Sequence, residues 1–131
     1  MKITQAILDD LTAKAKASPR LRMNLDLRNS ADDTSQRMLN AIEPGSVLPI
    51  HRHQKTSEVM VCLRGKLRVE YYDELERTCT ESFIIGPNGT NVAVSIPIGV
   101  WHTVHALESG TCIIEMKNGK YEPLPDVDIL G

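Results

Sequence analysis

The sequence predicts an all-β protein, a jelly roll or closed barrel entered through one short helix. Three observations lead there. About eight segments between residues 19 and 118 alternate apolar and polar residues with a period of two, as half-buried strands do. Turn-forming runs such as Pro44-Gly45 and Gly86-Pro87-Asn88-Gly89 separate them. Only residues 4–17 carry helical periodicity. Many short strands with one helix argue for sheets that close on each other.

In residues 4–17, Thr4 serves as N-cap, while Ile3, Ile7, Leu8, Leu11 and Ala15 fall on one stripe and Ser18-Pro19 stops the pattern. The stripe predicts a helix laid across a sheet face. Residues 19–28 then alternate Leu21, Met23, Leu25 and Leu27 against Arg20, Arg22, Asn24, Asp26 and Arg28. The polar face has two readings. It is either plain solvated surface, or Arg20 and Arg22 are guanidinium forks for a phosphate or carboxylate of a substrate, with Asn24 adding a neutral hydrogen-bonding group.

Residues 29–34 form a polar turn and residues 35–43 a strand that Pro44-Gly45 ends. Residues 59–63 are an apolar strand, and Gly65 is expected to turn a hairpin into the alternating residues 66–72. Strands follow at 78–85, 92–96, 101–107 and 111–117. In the last of these, Thr111, Ile113 and Glu115 face away from Cys112, Ile114 and Met116. Beyond Gly119, two prolines break regular structure, and the tail at 119–131 is expected to be a strap or an irregular end.

A chain of 131 residues fits one domain, with the barrel over about 19–118. The formal net charge of −2 leaves no basic field for nucleic acid or an anionic membrane, and no apolar run reaches the ~20 residues of a membrane span. Cys62, Cys79 and Cys112 are odd in number and hold no C-x-x-C, which suits reduced thiols. Met1-Lys2-Ile3-Thr4 opens without an apolar leader, so a cytoplasmic location is expected.

The chemistry concentrates between Gly45 and Gly65. His51 and His53 are separated by one residue, so an extended backbone sends both imidazoles to the same face, and Glu58 follows at the start of an apolar strand. Adjacent antiparallel strands would bring the two imidazoles and the carboxylate together as a metal site. The spacing Gly45, His51-x-His53, Glu58, Gly65 resembles the first motif of the cupins. Pro97-Ile98-Gly99-Val100-Trp101-His102 is similar to the core of the second. The second motif departs at Asn91, where a glycine is usual, and at Ala106, where an asparagine is. Parity selects His102, which shares a face with Val104 while His105 points the other way. The arginine-bearing strand followed by this motif resembles the small WbuC-type cupins over about residues 19–125.

These resemblances imply a cupin jelly-roll β-barrel, or double-stranded β-helix, holding one divalent transition metal (Fe, Zn, Ni, Mn or Cu) on His51, His53, Glu58 and His102. They also imply a link to surface-polysaccharide or O-antigen metabolism. The expected ligand is then a small polar or anionic molecule such as a sugar, sugar phosphate or nucleotide sugar, handled by Lewis-acid isomerase or epimerase chemistry. An iron-dependent dioxygenase and a non-catalytic metal- or ligand-binding module are the alternatives. No catalytic base stands out. Cupins commonly pair, so a homodimer is expected.

Overall fold

The computed structural model describes residues 1–130. Helix α1 (Gln5–Ala17) starts where Thr4 Oγ1 accepts the Ile7 amide at 3.3 Å. It buries Leu8, Leu11 and Ala15 against Leu39, Ala41 and Cys112, while Ile3 stays exposed. Each fully buried leucine contributes roughly 1.5–3 kcal/mol. Arg64 clamps the helix to the sheet through Asp9 at 2.7 Å, Thr12 at 3.0 Å and the Gly110 carbonyl at 3.0 Å.

Among the described residues ten strands follow: β1 (Arg22–Asp26), β2 (Ser35–Ile42), β3 (Ile50–His51), β4 (Glu58–Arg64), β5 (Leu67–Tyr72), β6 (Cys79–Ile85), β7 (Ala93–Ile96), β8 (Trp101–Ala106), β9 (Thr111–Asn118) and β10 (Ile129–Leu130). They form two antiparallel five-stranded sheets, ordered β1-β2-β9-β4-β7 and β10-β3-β8-β5-β6. The fold is an all-β jelly roll with one helix, as the periodicity predicts. Alternation gives each sheet an inner face, and Ile42, Met60, Leu67, Val69, Ile85 and Ile113 meet between the two.

Several local expectations are corrected. Gly65 does not turn a hairpin, because β4 and β5 lie in different sheets. Its φ of +82° carries the chain across, and a Cβ there would sit 2.8 Å from Thr111 Cα. Likewise β3 and β4 are not neighbours; they face each other from opposite sheets. The first strand begins at Arg22 rather than Pro19, because Leu21 adopts φ +56° and breaks the alternation. The tail is a strap that ends in a 3-10 turn, Asp126–Asp128, and in β10, which pairs with β3.

Candidate metal centre

His51 on β3 and His102 on β8 are directly paired across the sheet. Each ring is oriented by a carbonyl two residues back: His51 Nδ1 lies 3.0 Å from Pro49 O and His102 Nδ1 lies 2.9 Å from Val100 O. A carbonyl only accepts, so each Nδ1 carries the proton and each Nε2 is left with a free lone pair. His53 follows just beyond β3, where its carbonyl accepts the Gly99 amide at 2.8 Å. That bond ties the 97–100 turn to the histidine pair, and Gly99 takes φ +80° there. Glu58 opens β4 on the facing sheet, opposite Lys117 on β9.

Four ligand atoms from His51, His53, Glu58 and His102 lie within 4.8 Å of one another. Glu58 Oε2 is 3.2 Å from His53 Nε2 and 3.4 Å from His102 Nε2. Neither Glu58 Oε2 nor His102 Nε2 has a hydrogen-bond partner, though both are buried. Orphaned buried polar atoms are costly unless something else satisfies them. Three imidazole nitrogens and one carboxylate oxygen, converging and unsatisfied, fit a divalent transition metal. The cluster could hold such an ion.

The electrostatics suit a ligand set. Burial, and then the neighbouring His102, lower His51 to about 4, so its ring is neutral at physiological pH. Burial pushes Glu58 up, but its contacts with His102 and His53 and the field of Lys117 outweigh this and hold it well below the usual carboxylate range.

The cluster forms the floor of a cavity of about 310 Å³. Arg22 and Asn24 line it, whereas Arg20 lies outside it, exposed beyond the Leu21 kink. Asn40, Glu115 and Lys117 line it too. Asn40 Nδ2 donates to Glu115 Oε1 at 2.7 Å. Burial, and then the Glu58 carboxylate, push Glu115 up to about 8. Sequence reasoning placed Glu115 on the Ile113 face without marking it as functional. Only the pairing of β9 with β4 brings this face and that of Glu58 to one inner face of the sheet.

The strap closes one side of the cavity with Tyr121, Glu122, Pro123 and Leu124. Its near end is fixed by Gln36 Nε2 donating to Gly119 O at 2.8 Å. At the far end Arg52 Nε donates to Asp128 at 3.0 Å. The other chemically suggestive residues lie elsewhere. His105 points outward to Glu70 at 2.7 Å, and Tyr72 donates to the same carboxylate at 3.2 Å. Trp101 is buried beneath the Arg52 guanidinium, 4.5 Å from its ring centroid. Cys62 packs in the core, where burial pushes its thiol up to about 11.

Residues 3–84, more than half of the chain, match the model of a family described as Domain of unknown function (DUF6016). The match includes His51, His53 and Glu58 and ends before His102. No curated protein matches the sequence significantly. Among solved structures, KdgF from Halomonas sp. aligns with a TM-score of 0.62 at 17% identity, over 79% of this chain and 84% of that one. CapF, a capsular polysaccharide assembling protein from Staphylococcus aureus, gives 0.66 at 19% identity over 81% and 30%. The cupin domain of Schizosaccharomyces pombe Cnp3 gives 0.59 at 11% over 75% and 64%. The chain thus spans most of KdgF, under two thirds of the Cnp3 domain and under a third of CapF. At such identities the likeness is one of fold, and the fold is that of the cupins. Among the described residues no helix is long and apolar enough to cross a membrane.

Proposed function

The chain belongs to the DUF6016 family, a domain of unknown function, and from the site itself we propose that it is a divalent-metal cupin that isomerises or epimerises a small sugar or sugar derivative. One observation carries this reading: four ligand atoms converge within 4.8 Å, and two of them are buried without a hydrogen-bond partner. His51, His53, Glu58 and His102 would hold the ion. What the ion supplies is Lewis acidity toward a carbonyl or hydroxyl oxygen.

The chain's own residues supply the rest. Asn24 and Asn40 offer amides to hydroxyl groups, and the Glu115 carboxyl lines the same cavity as the group placed to exchange a proton with a bound carbon acid. The strap residues Pro123 and Leu124 shield one side from water. A volume of about 310 Å³ lies at the lower end of small-molecule pockets, ~300–1,000 Å³. It favours a monosaccharide-sized ligand over a nucleotide sugar. The resemblance to WbuC-type cupins, and the likeness in fold to a capsular polysaccharide assembling protein, support a place in surface-polysaccharide metabolism.

Elemental analysis of protein purified anaerobically from its host, beside the His51→Ala variant, tests the reading. About one zinc, nickel or manganese per chain, lost in the variant, is the expected result. Iron at that level, with oxygen consumption on carbohydrates, would replace the isomerase reading with an oxygenase. Metal in neither protein would overturn the site.

A further inference from the structure

Five ionisable side chains besides the histidines line the cavity: Arg22, Lys117, Glu58, Glu115 and Glu122. Their engagements differ. Arg22 already uses one guanidinium nitrogen to hold the 46–47 loop, donating to Val47 O at 2.9 Å and to Ser46 Oγ at 3.4 Å. Glu122 meets Lys55 at 3.5 Å. A groove of about 660 Å³ on the other side of the strap is walled by further cations, but each of those is paired: Arg52 with Asp128, Lys55 with Glu122, and Lys120 with Asp32.

Lys117 is different. It lines both the inner cavity and the outer groove, at the point where the two meet beside His53. It makes no direct ion pair among the described residues, and its contact is His53 Nε2 at 3.4 Å. That contact depends on the lone pair of Nε2, the same lone pair that a metal would take. Loading the site therefore removes the partner of Lys117 and adds two positive charges next to it. A lysine has three donors and no acceptor, and an anion placed between an ammonium and a dication lowers their mutual repulsion. Glu58 would itself be bound to the ion, and Glu115, the other carboxyl near Lys117, already has one oxygen taken by the Asn40 amide at 2.7 Å.

We infer that Lys117 is the oxyanion-holding residue of the site, taking up a carboxylate or phosphate oxygen of the sugar ligand beside the ion held by His51, His53, Glu58 and His102. The ligand class is then an anionic polyol, either a sugar acid or a sugar phosphate, and not a neutral sugar. This rests on the metal-site reading above. The residue is reached by register alone: Lys117 lies opposite Glu58 across β4 and β9, so the two point to the same inner face.

The test is isothermal titration of zinc-loaded protein with D-gluconate, D-glucose 6-phosphate and sorbitol, with zinc content measured on every sample. Wild-type protein is expected to bind one of the two anions at least about tenfold more tightly than sorbitol, as a charge-assisted contact requires. Gluconate as the preferred anion identifies a carboxylate ligand, and glucose 6-phosphate a phosphate ligand. Lys117→Gln should keep its zinc and bind that anion at least about tenfold more weakly than the wild type, while Lys117→Arg keeps the preference. Lys117→Met serves if the amide disturbs folding. Zinc uptake with equal affinity for all three probes, with no binding of either anion, or with the preference intact in the zinc-loaded Lys117→Gln or Lys117→Met variant overturns the inference alone. A wild-type protein that takes up no zinc overturns the metal reading and this inference with it.

Discussion

His51 and His102 face each other across β3 and β8 with ring centroids 4.3 Å apart, and each donates a hydrogen bond from Nδ1–H to the carbonyl two residues before it. The two rings are therefore fixed in one tautomer, with both Nε2 lone pairs turned into the cavity.

Removing either ring takes away a ligand, not a packing group alone. His51→Ala and His102→Ala are each expected to lower zinc affinity by well over tenfold, since losses of about 10–100-fold follow even from changes to groups that only orient ligands. Competition with a chromogenic chelator measures this. Tight stoichiometric zinc in both variants would contradict the assignment.

The same closeness makes the metal-free protein sensitive to acid. His51 falls from 6.5 to about 4 in the folded chain because of burial and His102. The unfolded chain therefore binds a proton on this residue where the folded chain does not. The contribution is fully present above pH 6.5 and is lost as the pH falls from there toward 4. In full it amounts to about 3 kcal/mol. Urea denaturation of the apoprotein at pH 7.5 and pH 4.5 should show this loss, and His51→Gln should reduce the difference. An unchanged difference in the variant would place the acid sensitivity elsewhere.

Arg20 and Arg22 separate in the structure although they look equivalent in the sequence. Arg22 lines the cavity and anchors the 46–47 loop, while Arg20 is exposed outside it. Arg22→Gln is expected to weaken binding of an anionic sugar several-fold, because it loses a charged donor at the cavity wall. Arg20→Gln should leave affinity unchanged. Titration of both variants with gluconate and glucose 6-phosphate decides, and equal losses in the two would show that the kink at Leu21 does not separate their roles.

His51, His53 and Glu58 were legible in the sequence through short-range spacing, whereas His102 was reached through the resemblance of residues 97–102 to the second cupin motif, with strand parity setting it apart from His105. The all-β class followed from alternation, the turns between the alternating segments and the single helical stretch. What stayed hidden depends on pairing between distant strands. Nothing local tells Gly65 to cross between sheets, since the reason is Thr111 pressed against it. Lys117 and Glu115 look like the polar positions of an ordinary strand until β9 is placed between β2 and β4 and the strap covers them. Two-residue β10 is too short to show any period.

Gly65 tests the crossing itself. At φ +82° an L side chain is strained, and the added Cβ would also meet Thr111, whose hydroxyl donates to the Glu108 carbonyl at 2.8 Å. Gly65→Ala should cost about 2–4 kcal/mol, in the range of a combined backbone and packing fault. Thermal and urea unfolding measure it. A neutral result would mean that the crossing has room the structure does not show.

The strap behaves as a side wall held at two ends, and its far end depends on one ion pair. Asp128 accepts from Arg52 Nε at 3.0 Å and from Gln54, and the Arg52 backbone amide donates to the Asp128 carbonyl at 3.1 Å. Arg52 is itself oriented by its stack on Trp101, so the anchor is set by a buried residue of β8, next to His102. Asp128→Ala removes the charged acceptor but leaves the sheets and the ligand cluster untouched. Hydrogen exchange over residues 120–130 should then quicken by at least about tenfold, the effect of losing a hydrogen bond to a charged group, while zinc content stays at the wild-type level. Because Tyr121 to Leu124 wall the cavity, sugar-ligand affinity should fall along with this protection. Faster exchange with unchanged affinity would show that the strap covers the cavity without contributing to binding, and unchanged exchange would mean that β10 pairing alone holds it.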